Sequence, residues 1–414
     1  MVVRNKIILI LVFAFGISGC QTLQQYFNPT PTLTLTPGPT LTPTVTYTPW
    51  PAFITLEPSP SFTPPPAPTI APSGTPFPTG TPTPVILGAV NFSPNINPLT
   101  GLQVANPDIL KRRPVMVKVS NFPRTGRPHA GLSAADMVFE YYIGDYENRF
   151  MAVYYGQDSE NIGPLRSGRL VDAPLTLDYG GILVYGNADP RVDEVLVNRL
   201  GKRAITFDDA PCPPICGKDT HSMEGVFVNS AATTQFANAQ KIDDSQPNLW
   251  GMVFDYRLPT DSQNGNFLGV MFGPDNRGEW RYDPASQTYY RWIEDEKSPQ
   301  DFTQIPLIDR NTGQQLAFEN VIILYTRYTE LLPTMFAMDV DENTIGQRAV
   351  FFRDGVSVEG SWRSNGPDKP LAFANSWGAR MPLKPGKSWI IMVGLSSDLT
   401  QSSPGHWELE YHTK

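Results

Sequence analysis

The chain has 414 residues, with 32 Lys and Arg against 40 Asp and Glu, for a net charge of −8. An acidic chain without a basic stripe is a poor nucleic-acid binder, because phosphate contacts need clustered cations. Three cysteines in all exclude a disulfide-dense scaffold and a four-cysteine zinc site.

Residues 1–20 read as a targeting segment. Arg4 and Lys6 make a short positive start, and Ile7 to Ile17 is an apolar run too short to span a bilayer. It ends in Ile17-Ser18-Gly19-Cys20, an aliphatic residue, two small residues and a cysteine, which resembles a bacterial lipobox. That resemblance implies diacylglycerol on the Cys20 thiol and removal of the segment before it. The alternative is an ordinary secretory signal with a chance cysteine.

Residues 21–90 read as a disordered tether. Between Asn28 and Pro84 threonine and proline alternate, no Lys or Arg occurs, and Glu57 is the one acid. Proline removes backbone donors and fixes φ, so neither helix nor ladder propagates. At about 3.1 Å per residue such a stretch reaches on the order of 150 Å when straight.

Residues 91–245 read as an α/β domain with a mixed sheet. Strand patterns occupy 113–120, 136–143, 149–156 and 181–186, with a hairpin at Gly144-Asp145. Helical patterns occupy 169–180, 189–200 and 229–242, the second opened by Asp189 before Pro190. Residues 246–414 read as a mostly β domain, aromatic and β-branched, with turn residues at short intervals. The fold class expected is therefore α+β. "RYDPASQTYYRW" predicts a hairpin with "DPAS" at its tip and Trp280, Tyr282, Tyr290 and Trp292 paired across it.

"CPPIC" holds Cys212 and Cys216. A local disulfide is favoured over a metal pair or a redox site, since thiols oxidise outside the membrane and no CxxC is present. "DVDENTIG" (339–346) imitates a calcium loop, but Thr344 stands where glycine is needed and Val350 where glutamate is, so it reads as a turn. His129, His221, His406 and His412 show no metal spacing, and no cofactor fingerprint is present.

"GPLRSGR" (163–169) is the strongest functional lead. It sets Arg166 and Arg169 three apart, with Ser167 and Gly168 between them, ahead of a helical pattern. Two readings compete. The arginines brace the core against Asp136, Glu140 or Asp172, or they present two planar cations and free N–H groups to a carboxylate or phosphate. In the second reading Arg166, Ser167, Arg169 and His221 form the ligand site. A rival class is a wall-remodelling hydrolase or transpeptidase, with Cys212 or Cys216 as nucleophile and His221 as base.

"NPLTGL", "RRPVMVKVSN", "RPHAGLSAADMVFE", "RFMAVYYG" and "GPLRSGR", followed by "WRYDPASQTYYR", "FENVIIL" and "PLKPGKSWIIMVG", resemble the YerB-like bacterial lipoproteins in order and spacing. The resemblance covers nearly everything from residue 97 onward. It implies a lipid-anchored, two-domain protein on the extracytoplasmic face of the cell membrane, of a family whose function is unknown. The chain departs from that pattern at Asp219-Thr220-His221-Ser222, where relatives carry Pro-His-Asn, and "CPPIC" is a local embellishment. Together these readings give an envelope binding or scaffolding protein. Its expected partners are the membrane, through the anchor, and a wall polymer or envelope protein; no cofactor and no metal are expected.

Overall fold

Apolar runs carry the strands, and their pairing joins the two halves of the chain. The computed structural model describes residues 88, 92–218, 224–242, 245–295, 297 and 303–413. The signal segment, Cys20, the tether up to residue 87 and His221 lie outside the described residues. Everything described falls in one compact unit, Thr79–Lys414.

β1 (Val115–Ser120), β2 (Met137–Gly144) and β3 (Glu147–Tyr154) are buried along almost their whole length. β2 and β3 form the hairpin expected at Gly144-Asp145, and β1 lies antiparallel to β3. After α1 (Asp172–Asp178), β4 (Ile182–Tyr185) returns parallel to β1; after α2 (Pro190–Leu200), β5 (Ala204–Thr206) returns parallel to β4. Asp189 caps α2 by accepting from Arg191 N at 3.0 Å, with Pro190 at the first helical position. α3 (Ser230–Ala239) is capped by Asn229.

The sheet does not stop at β2. Strand Ser388–Gly394 pairs parallel with β2, Met137 opposite Ser388 and Tyr141 opposite Met392. Beyond it follow Asn320–Thr326, Gln347–Arg353, Val356–Arg363 and, at the edge, Ala372–Asn375. Eleven strands thus make one mixed sheet, counting Gln263–Asn264 beside Val356–Arg363. A second, seven-stranded sheet contains Phe267–Gly273, Asn276–Asp283, Thr288–Glu294 and the C-terminal strands Asp398–Ser403 and His406–Glu410. The chain is α+β and sheet-rich, with mixed sheets and short helices.

Trp389 holds the two sheets together. Its ring meets Phe150, Trp280 and Phe318 edge-on at 5.0, 5.2 and 5.3 Å, and its indole N–H donates to Glu140 at 2.6 Å. Buried aromatics of this size dominate core energetics, and the indole donor needs such a partner. Glu140 also pairs with Arg291 at 3.1 Å, both buried.

The aromatic hairpin forms, but one residue out of the expected register. Its turn closes Asp283 against Thr288, so Trp280 faces Arg291 and Tyr282 faces Tyr289. Because side chains alternate faces, Tyr290 and Trp292 stand on the other side, where Arg281 lies 4.0 Å over the Trp292 ring. Trp280 and Tyr289 are core residues, so the cluster packs the fold. The "DVDENTIG" stretch is a turn region, as expected.

Candidate anion-binding site

The arginine motif is an extended segment beside the end of β1. Arg166 N donates to Lys118 O at 3.0 Å, and Ser120 N donates to Pro164 O at 2.9 Å. α1 begins only at Asp172, so Arg166 and Arg169 precede the helix and the helical i, i+3 geometry does not apply to them. Gly168 is required where it stands. A Cβ there would come within 2.6 Å of Leu196 and 3.0 Å of the Tyr185 ring. This close approach seats the motif on α2 and β4, and Gly168 N donates to Asn187 O at 2.8 Å. The Ser167 hydroxyl donates to the Asn187 side chain at 2.6 Å, and Ser167 is half-buried.

Beneath this segment lies a buried ionic cluster. Lys118 sits in the middle of β1 with no exposed surface, and its Nζ is 3.0 Å from Asp172. The Tyr141 hydroxyl touches the Lys118 amine and donates to the same Asp172 oxygen. The second Asp172 oxygen accepts from Arg169 N at 2.6 Å. Burial pushes the Lys118 amine down to about 8, Asp172 opposes this, and Arg169 and Arg149 push it further down. Burial raises the Asp172 carboxyl, against the pull of Lys118.

Strand register adds a third arginine. Arg149 lies opposite Tyr141 across β2–β3 and opposite Ser120 across β1–β3, hence on the Lys118 face. It is buried, donates to Asn148 O at 3.2 Å and meets Glu147 at 3.3 Å. Burial brings its guanidinium down to about 9; Glu147 opposes this, while Arg166 and Arg169 act as like charges. It remains charged at neutral pH.

Arg169 is half-buried. Its guanidinium donates to Thr334 O at 3.0 Å, in the turn between strands Tyr328–Leu332 and Met335–Met338. That turn is seated on Gly144, whose φ of +105° disfavours a side chain and where a Cβ would come within 2.6 Å of the Thr334 Cα. Burial lowers the Arg169 guanidinium, opposed by Asp172, Glu147 and Asp189. Lys118, Arg149, Arg166 and Arg169 gather here with Asp172, Glu147 and Asp189, and the Nε–H groups of Arg149 and Arg169 are buried without an acceptor among the described residues.

Of the carboxylates expected to brace Arg166 and Arg169, Asp136 and Glu140 are used elsewhere, while Asp172 is shared between Lys118 and Arg169. Asp136 accepts from Asn97, Tyr155 N and Gly156 N; Glu140 serves Arg291 and Trp389; Asp172 serves Lys118. Arg166, Ser167 and Arg169 come together; His221 is outside the described residues. Lys118, Tyr141 and Arg149 were missed in the sequence. A signal for the two cations was present, since "VMVKVS" carries Lys118 inside an apolar run and "ENRFMAVY" carries Arg149 at the head of one.

Cys212 and Cys216 form a disulfide, with sulfurs 2.02 Å apart. No group of His, Cys, Asp and Glu among the described residues is arranged to hold a metal ion. No helix among them is long and apolar enough to cross a membrane. Four clefts of about 310 to 730 Å³ are lined by residues other than Arg149, Arg166 and Arg169.

Fold and site together define a sheet-rich α+β protein with a crowded cationic cluster beside its central strands. Residues 99–239 match the N-terminal domain, and residues 268–390 the C-terminal domain, of the family described as "Protein of unknown function (DUF3048)". The chain belongs to this family. It is similar to "Putative lipoprotein YerB" of Bacillus subtilis (strain 168), with 26% identity over 309 residues, 72% of this chain and 85% of that protein. The crystal structure of the YerB protein from Bacillus subtilis shares the fold, at a TM-score of 0.58 and 24% identity, covering 72% of this chain and 96% of that one.

Proposed function

We propose that the protein is a lipid-anchored envelope binding protein that takes an anionic ligand at Arg149, Arg166 and Arg169. One observation carries the reading. Three guanidiniums gather, Arg166 and Arg169 depress the basicity of Arg149, and buried N–H donors at Arg149 and Arg169 have no acceptor among the described residues. A carboxylate or phosphate group relieves both the repulsion and the missing bonds. Cell envelopes offer both, in stem peptides and anionic wall polymers.

The lipobox at Cys20 and the lipoprotein name of the relative support anchoring through a diacylglycerol thioether, with the body on the extracytoplasmic side. The tether gives that body reach. The thiol-enzyme alternative loses support because Cys212 and Cys216 occupy one bond. The test is binding to solubilised wall fragments. Arg166→Ala and Arg169→Ala are expected to weaken it about tenfold each, equivalent to about 1.4 kcal/mol. Unchanged binding by both variants overturns the reading.

A further inference from the structure

A second region of the molecule has the features of an open binding site. It lies at the edge of the large sheet, where strand Ala372–Asn375 is the last strand. A cleft of about 360 Å³ opens there, within the size range of ligand sites. Arg363, Lys369 and Arg380 line it, and its lining includes no acidic side chain. All three cations are exposed, and among the described residues none of them makes an ion pair or a side-chain hydrogen bond. This contrasts with the other arginines of an acidic chain, such as Arg191, Arg257, Arg281 and Arg348, which reach a carboxylate within 3 Å. The nearby acids are turned to other tasks: Asp261 accepts from the Trp377 indole at 2.8 Å, and Asp368 faces Arg113 at 3.6 Å.

Large apolar side chains stand in or next to the cleft: Ile345 and Trp250 line it, and Trp377 directly precedes the lining residue Gly378. Trp377 is 78% exposed, yet its turn is pinned by Asn375, whose side chain accepts from Trp377 N and Ala379 N at 3.1 and 3.0 Å. Ile345 is 94% exposed, on the loop that imitated a calcium site. Buried Asn343 fixes that loop by donating to Trp362 O at 2.7 Å and accepting from Gly346 N at 3.1 Å. Trp250, 46% exposed, lines the cleft on another side. Exposed indoles held in place lose little conformational freedom on binding, so they are pre-organised contacts.

We infer that this cleft binds an acidic polysaccharide, with sugar rings against Trp250 and Trp377 and the carboxylate or phosphate groups of the chain on Arg363, Lys369 and Arg380. Unpaired cations supply the charge recognition, the indole faces supply the stacking, and the concave shape suits a chain rather than a flat bilayer. The site is separate from the Arg149, Arg166 and Arg169 cluster, and neither reading depends on the other.

The test uses the full chain in detergent micelles, titrated calorimetrically with polygalacturonate, with a neutral glucan and with inorganic polyphosphate. Saturable binding of polygalacturonate is expected, at least tenfold tighter than either of the other two. The triple variant Arg363→Ala/Lys369→Ala/Arg380→Ala is expected to weaken it tenfold or more, and Trp377→Ala at least threefold. Arg281→Ala, which removes an exposed cation paired with Glu279 and belonging to neither site, is expected to leave this binding within twofold. All four substituted side chains of the cleft are exposed, and unchanged thermal melts verify that the variants fold. The inference is overturned by absent binding, by polyphosphate binding as tightly as polygalacturonate, or by a triple variant that binds within twofold of the parent. Cleft-dependent capture on phosphatidylglycerol vesicles without glycan binding also overturns it, in favour of a membrane surface. Binding lost in Arg169→Ala but kept in the triple variant assigns the glycan to the first site.

Discussion

Arg169 reaches across 165 residues of sequence to donate a guanidinium N–H to the carbonyl of Thr334, 3.0 Å away. Its acceptor is a neutral carbonyl, while the adjacent Asp172 is committed to Lys118. The two cations therefore differ in what their surroundings require. Removing Arg169 leaves a partly accessible carbonyl, at a cost of about 1 kcal/mol. Removing Asp172 leaves the Lys118 ammonium fully buried without its counter-charge, which costs about 3 to 5 kcal/mol. Urea denaturation of Arg169→Ala and Asp172→Ala is expected to show this gap. Equal losses would mean that Arg169 braces the core, which removes the basis for treating it as a ligand contact.

Anchoring has a direct readout. Cys20→Ser removes the thiol proposed to carry the diacylglycerol and is expected to move the protein from the membrane pellet to the soluble fraction in detergent-free fractionation. Two or more acyl chains are needed for stable attachment, so no intermediate distribution is expected. Protein that stays in the pellet with the segment before position 20 removed would show attachment by another route.

The Cys212–Cys216 bond closes a very short loop that runs into the first strand of the hairpin formed by Ile215–Lys218 and Gly225–Val228, where Cys216 faces Phe227. Chain-entropy arguments give a loop of this size about 2 kcal/mol. The double variant Cys212→Ala/Cys216→Ala is expected to lose about that much in chemical denaturation and to keep its ligand binding. Loss of binding with stability intact would return these cysteines to the site.

Much of the first half was legible in the sequence because its signals are local. The strands of 115–154 are short apolar runs between turn residues, and α2 announces itself with Asp189-Pro190. The joining of β2 to Ser388–Gly394 was not legible, because about 250 residues separate the partners and nothing in "SWIIMVG" names its neighbour. The hairpin at 276–294 was visible, but its register depends on how the turn closes, and a shift of one residue exchanges the faces. Arg166 and Arg169 drew attention as a dense motif. Their companions Lys118, Tyr141 and Arg149 come from three strands, and only pairing brings them together. The exposed cations of the edge cleft were invisible for the opposite reason. Single arginines and lysines at 363, 369 and 380 look ordinary until the fold shows that no carboxylate answers them.

Asp178 gives the stability a pH dependence whose sign can be worked out. It ends α1 without exposed surface; one oxygen accepts from Ser364 Oγ at 3.1 Å and the other has no partner among the described residues. Burial raises its carboxyl to about 7, and Asp341 pushes the same way, against the Ser364 bond and Arg199. The folded state therefore holds a proton that the unfolded state releases between about pH 4 and pH 7. Stability from this group is fully present below pH 4 and is lost as the pH rises through 7. The loss is as much as about 4 kcal/mol. Asp178→Asn keeps the shape and removes the charge. It is expected to match the parent near pH 4 and to exceed it by up to that amount at pH 8. His129 works in the opposite direction, since burial lowers its imidazole to about 3 and stability is lost as the pH falls below about 6.5. That contribution is common to both proteins and cancels in their difference. A difference between variant and parent that stays flat from pH 4 to pH 8 would show that Asp178 is ionised throughout, with a counter-charge or water supplying what its burial denies it.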